Sequence, residues 1–337
     1  MHSRALRLLL CTVPLVLALC AEPTGPAPEP SYVQDPGAPV WNNAGWKGVA
    51  GYDMATQRAV HELPPQEGSI YSLAADNGYL FAGFGDGSLR RSTTDTLAFS
   101  ARVILHPDDP LPLLSLAAAQ GDLWVGERSV NRGPNIYRVD PLDLSIRTTL
   151  ALVPDSGFIR QMAMAANHLW VLAEPALTVF AVNLATGGLD TALELGGARG
   201  YGALAAAGEE VWALDRAGSL LHVIDPSRRS IARTVDLGEM VGENLLLGAT
   251  ATRFYVGEAG QAGQASRIVE LSADLGSIAR SWSYEGNLSI ICGRGSRLIA
   301  VMAVGYNHEV IELDPLTLQV LHTIRGNDVY SYAIALE

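Results

Sequence analysis

From residue 40 onward the apolar residues come in short bursts, and each burst is closed by Gly, Pro, Asn or Asp. No stretch repeats its apolar residues at the 3.6 period of a helix, and the bursts have the length and punctuation of strands. The passage "VWALDRAGSLLHVIDPSRRSIARTVDL", Val211 to Leu237, nearly repeats "LWVLAEPALTVFAVNLATGGLDTALEL", Leu169 to Leu195. Aligned throughout, the bursts resolve into four kinds. A small-residue strand recurs as "YSLAAD" from Tyr71, "LSLAAA" from Leu114, "RQMAMA" from Arg160, "YGALAAA" from Tyr201, "LLLGAT" from Leu245, "LSIICG" from Leu288 and "SYAIAL" from Ser331, at intervals of about 42–46 residues. A second strand carries one bulky residue at a fixed place: Phe81, Trp124, Trp170, Trp212, Tyr255 and Ile299. A third ends in a polar turn, as in "IYRVDPLDL" and "VIELDPLTL", and a fourth closes the unit, as in "SIARTVDL". Asp-Pro and Asn-x-x-Thr-Gly are turn chemistry.

A four-stranded sheet with two apolar faces cannot bury both alone. Stacking such sheets radially buries each face against the next, which is a propeller. The innermost strands crowd the axis, which accounts for Ala74, Ala117, Ala163, Ala205 and Gly248 at equivalent places. Further out the sheets splay, and the ring at Trp124, Trp170 or Trp212 fills the widening gap. The C-terminus stops after one small-residue strand, whereas the N-terminus begins with the other three, Trp41 standing in the ring position. The two ends therefore share one blade, which closes the circle and removes free sheet edges. The expectation is an all-β, seven-bladed propeller over residues 40–337.

The third-strand pattern "VIELDPLTLQVLHTI" and its relatives resemble the YVTN-type seven-bladed propellers, close to the quinoprotein-like and streptogramin-lyase-like repeat families. The resemblance covers nearly the whole chain after residue 40. It implies the fold and leaves function open, since such propellers host unrelated activities. It also implies a binding face formed by the inter-blade loops and the turns joining second to third strands.

The first residues, "MHSRALRLLLCTVPLVLALC", join a basic start (Arg4, Arg7) to an apolar run of signal-peptide length, too short to span a membrane comfortably. Residues 1–20 read as a signal peptide. "LALC" resembles a bacterial lipoprotein lipobox ending in Cys20, although Leu19 stands where that pattern has a small residue. Two readings stand: lipidation of Cys20, or ordinary cleavage near Cys20 or Ala21. Residues 21–39 are proline-rich and read as an extended linker. The folded part keeps only Cys292, so no intramolecular disulfide forms there, and its apolar strand suits a buried small hydrophobe.

Composition narrows the function classes. Acidic residues exceed basic ones, 35 to 23, for a formal charge of -12, which argues against nucleic-acid binding. Around the channel mouth the repeat places Tyr71, Arg160, Tyr201, Asn244 and Tyr330. Arg160 stands where other repeats have Tyr, Leu, Gly or Ser, so the fold does not require it, and its planar fork suits a carboxylate. Either a ligand or a loop acid such as Asp155 could supply that carboxylate. Histidines do not cluster at metal-ligand spacing. In streptogramin lyases a top-face histidine and glutamate serve a metal-assisted elimination; His308 and Glu309 are the one comparable pair, and the motif around them is absent. No haem-attachment, nucleophile-elbow or calcium-loop pattern appears, and no cofactor is expected. These features favour an exported, non-catalytic binding or assembly scaffold in a bacterial cell envelope, periplasmic or tethered to the outer membrane through a Cys20 lipid. Its partner, a protein or small ligand, would sit on the top face. The alternative is a periplasmic propeller enzyme, a lyase or an oxidoreductase subunit.

Overall fold

The computed structural model describes residues 39–43, 49–63, 69–94, 98–105, 113–127, 134–152, 157–196, 202–217, 219–238, 241, 245–260, 264–304, 307–326 and 334–336. The signal-peptide, Cys20 and linker readings lie outside them, Pro39 apart. Every regular element among these residues is a strand, and the strands form seven four-stranded antiparallel sheets. Blade 1 is assembled from both ends of the chain: Ile334–Leu336 is innermost, followed by Val40–Asn43, Val49–Asp53 and Arg58–Leu63. Blades 2 to 7 follow in order at 70–104, 113–151, 157–194, 202–236, 245–285 and 287–326.

The rule of small residue inside and bulky residue outside is a register fact. Each small residue pairs directly with its ring: Ala335 with Trp41, Ala74 with Phe81, Ala117 with Trp124, Ala163 with Trp170, Ala205 with Trp212, Gly248 with Tyr255 and Cys292 with Ile299. None of the seven bulky residues is more than 4% exposed. The crowding that keeps the inner position small is measurable at Gly248, where an added Cβ would lie 2.7 Å from Ile291 of the next blade. Gly51 is bare for the converse reason: its Cβ would meet the Trp41 ring at 2.8 Å.

The core is divided into seven clusters, one between each pair of neighbouring blades. An open row of seven sheets would have six. The closing cluster joins Ile299, Val301 and Val310 of blade 7 to Val40, Met54 and Leu336 of blade 1. Blade 1 in turn packs Trp41 and Val49 on Ile70 and Leu73 of blade 2.

Four inner strands depart from the simple repeat. The ladder skips Tyr71 in blade 2, Leu114 in blade 3, Arg160 in blade 4 and Ser289 in blade 7, each a one-residue bulge. Blades 5 and 6 lack it: Gly202 pairs with Asp215 and Leu245 with Glu258 without a break. Gly202 and Leu245, which sequence spacing aligns with Arg160, are therefore ladder residues and not its structural counterparts.

Candidate functional site

Each inner strand begins at the end of its sheet that carries the turn from second to third strand, as at residues 85–87 in blade 2 and 176–177 in blade 4. In blade 4 the strand Gly157–Ala165 starts there, with Phe158 opposite Glu174 and Ile159 opposite Ala173, before the bulge at Arg160. A bulge re-aims the unpaired residue, and Arg160 is exposed. Glu174, at the end of the strand His168–Pro175, is only 1% exposed. Its Oε1 accepts a hydrogen bond from the backbone N–H of Gly202, 2.7 Å away, at the start of blade 5.

Two glycines make this convergence of blades sterically feasible. A Cβ on Gly202 would lie 2.9 Å from both Leu172 Cδ2 and the Leu214 carbonyl oxygen. Gly157 has φ of +83°, and a Cβ there would fall 1.8 Å from the Glu174 carbonyl oxygen.

Arg216 completes the cluster, just after the strand Glu210–Asp215. Burial pushes the Glu174 carboxyl above the usual carboxylate range, against the Gly202 N–H and the positive charges of Arg160 and Arg216. Burial, and then the neighbouring Arg160 charge, hold the Arg216 guanidinium below its ordinary value, with Glu174 opposing them. Three charged groups thus act on one another across two blades. Among the described residues, Glu174 Oε2 and Arg216 Nε are buried with no hydrogen-bond partner.

Inward of this cluster the inner strands surround a central cavity of about 540 Å³, its wall including Gln161, Met162, Met164, Ile291 and Cys292. Gln161 Oε1 accepts from the Leu204 N–H at 3.0 Å. Cys292 is half-buried on this wall, and burial pushes its thiol up to about 12, so it is not a thiolate at neutral pH. Arg294 also lines the cavity, but its Nη1 donates to the carbonyl oxygens of Ala75 and Leu336, both at 2.8 Å, and Nη2 pairs with Asp76 at 3.2 Å.

The other residues singled out from the sequence fall elsewhere. Tyr71 occupies the blade 2 bulge, 43% exposed and packed beside Gly85, with blade 3 between it and Arg160. Tyr201, Asn244 and Tyr330 lie outside the described residues. His308 and Glu309 are consecutive on the strand Asn307–Leu313, so their side chains alternate between faces. Glu309 accepts from the Tyr284 hydroxyl and pairs with Arg325 Nε at 3.0 Å, while burial lowers the His308 imidazole. Among the described residues no three His, Cys, Asp or Glu side chains converge to hold a metal.

Neither Glu174 nor Arg216 is among the residues that the sequence places at the channel mouth. A signal was present: Glu174 and Arg216 both stand four residues after the ring, Trp170 and Trp212, in adjacent repeats. Arg128 holds the same place after Trp124 and lies outside the described residues.

No family profile matches the chain, and no curated protein matches it. Solved structures do. The computationally designed Ika8 protein aligns with a TM-score of 0.62 at 15% identity, over 86% of this chain and 84% of that one. The WD40 repeats of RRP9 align at 0.62 and 13% identity, over 78% and 82% of the two chains. BamB from Moraxella catarrhalis aligns at 0.56 and 15% identity, over 84% of each. At these identities the likeness is one of fold.

Proposed function

We propose that this chain is an exported propeller that works as a non-catalytic binding or assembly scaffold in a bacterial cell envelope, holding its partner on the face where the inter-blade loops meet. The carrying observation is the Arg160, Glu174 and Arg216 cluster. It concentrates charge at the channel mouth, with Arg160 on a bulge that carries uncharged Tyr71, Leu114 and Ser289 in blades 2, 3 and 7. Recognition sites are built this way, on irregular backbone held by a rigid scaffold. Export is supported by residues 1–20, and a lipid on Cys20 with the proline-rich linker would tether the propeller to a membrane. The third-strand repeat supports kinship with the YVTN-type propellers, and BamB from Moraxella catarrhalis supplies a bacterial example of the same architecture.

Site-specific photo-cross-linking in cells tests this reading. A photoreactive residue at position 160 should give discrete adducts with envelope proteins, whereas one at the exposed outer-strand position of Leu189 should not. Equal labelling from both positions, or none from either, overturns the scaffold reading.

A further inference from the structure

We infer that the channel mouth between blades 4 and 5 is a carboxylate-binding site, in which Arg160 and Arg216 grip the anion and Glu174 sets the net charge. The inference rests on the reading of this face as a binding surface and names the chemistry that it recognises.

Three observations carry it. The first is polar capacity. Glu174 is 1% exposed and commits one oxygen to the Gly202 N–H, while Oε2 has no partner among the described residues. Arg216 Nε is likewise buried without one. Buried polar groups are normally paired, and each that is not calls for an explanation. An anion beside Arg216 would supply the acceptor that this Nε lacks.

The second is arrangement. The two arginines come from different blades and meet at Glu174: Arg160 follows Ile159, which pairs with Ala173, and Arg216 follows Asp215, which pairs with the Gly202 that Glu174 binds. Like charges are not brought together by packing alone, and the same bulge carries Tyr71, Leu114 and Ser289 in blades 2, 3 and 7, so the fold does not require an arginine there. Neighbouring guanidiniums converge where a planar anion is to be held by paired hydrogen bonds.

The third is charge balance. With Glu174 ionised the cluster carries one net positive charge, which matches a carboxylate and falls short of a phosphate dianion. The chain as a whole is acidic, with a formal charge of -12, so a local excess of positive charge stands against a negative background.

The carboxylate could be that of a small acid or of a peptide chain, and direct titration separates the two. The exported protein, purified whole, is titrated with propionate, with a Gly-Ser hexapeptide ending in a free carboxylate, with the same peptide amidated, and with inorganic phosphate. Binding of propionate or of the free-carboxylate peptide, at least about tenfold tighter than of the amide or phosphate, is the expected result. Which of the two binds identifies the source. Arg216→Gln should weaken that binding about tenfold, and Arg160→Gln, an exposed change that leaves folding intact, should do the same. Thermal melting of both variants checks that the fold is retained. Equal binding of carboxylate and amide, preference for phosphate, or unchanged affinity in a folded Arg160→Gln protein overturns the inference. Adducts at position 160 alongside any of these would leave the scaffold reading standing, and carboxylate binding without adducts would do the reverse.

Discussion

Glu174 illustrates how one residue can be costly to the fold and useful to a site. Its pKa is raised, so folding penalises the ionised form relative to the protonated one. That penalty is full above the raised value and vanishes below the ordinary carboxylate value, where folded and unfolded chains are both protonated. Glu174→Gln mimics the neutral acid and keeps an oxygen for the Gly202 N–H. At pH 8 the variant should be more stable than the parent by about 1 kcal/mol, the lower end of the cost of an unsatisfied buried group. The gain should shrink to nothing as the pH falls toward 4. Chemical denaturation across that range checks it, and a variant less stable at pH 8 would show that the carboxylate's attraction to Arg160 and Arg216 outweighs its burial. The sequence made Arg160 visible because it broke a repeat. It left Glu174 obscure because an acid before proline at a strand end looks like a solvated turn, and its burial depends on how close Gly202 of the next blade comes.

At the scale of the element, the turn between third and fourth strands is the most faithfully repeated device. Asp53, Asn183, Asp225 and Asp314 each accept backbone N–H bonds from residues two and three ahead. The same turn then needs a left-handed residue, supplied by Gln57, Leu144, Gly187, Arg229, Leu275 and Leu318, and Gly187 alone adopts that conformation without strain. Side chain and backbone compete here, and magnitudes decide. At Leu318, 2% exposed, replacement by Gly relieves about 1–2 kcal/mol of strain but forfeits about 2–3 kcal/mol of burial and adds unfolded-state entropy. Leu318→Gly should therefore lower stability by about 1–2 kcal/mol. Gln57 is exposed, so Gln57→Gly loses no burial and should leave stability equal or slightly higher. Parallel melts of the two variants test this, and a matching loss at both sites would mean that burial is not what distinguishes them. The hydrogen bonds given to Asp53 and Asp225, from Thr56 and Ser227 first, hold both carboxyls below their usual range. Their contribution is present above the unfolded carboxylate value and lost as pH falls through the folded one, so the melting temperature should decline on acidification below about 4. Strand order and register were legible because small and bulky residues keep a fixed period. The bulges were not, because an extra residue inside a strand lengthens the repeat just as a longer loop does: Ala117 and Ala163 lie farther apart than Ala163 and Ala205.

For the whole molecule the decisive question is closure. Blades 2 to 7 are each continuous in sequence, whereas blade 1 exists only if the two ends of the chain meet. The meeting is secured at three levels. Ile334–Leu336 pairs with Val40–Asn43, setting Ala335 opposite Trp41. Leu336, 7% exposed, enters the core shared with Ile299 and Val301 of blade 7. Arg294 of blade 7 then binds the carbonyl oxygens of Leu336 and of Ala75 in blade 2, so one guanidinium spans the seam from blade 7 through blade 1 to blade 2. No sequence pattern announced that bond, since "CGRGSR" reads as an ordinary turn between strands, although the shared blade itself was legible from the missing strand at each end. Deleting Ile334–Glu337 removes the ladder, the Leu336 contact and one acceptor of Arg294 together. Burial of one leucine is worth about 2–3 kcal/mol, and exposing the Trp41 edge adds to that. Since net stabilities are commonly only about 5–15 kcal/mol, the truncated chain should melt far below the full one or fail to fold. Arg294→Gln separates the clasp from the strand. It leaves the ladder intact and removes the bonds to both carbonyl oxygens and the exposed pair with Asp76, so it should cost about 2–4 kcal/mol, less than the truncation. If the truncated protein melts like its parent, closure does not run through blade 1. If Arg294→Gln is silent while the truncation is severe, pairing and packing close the ring and the guanidinium only decorates the seam.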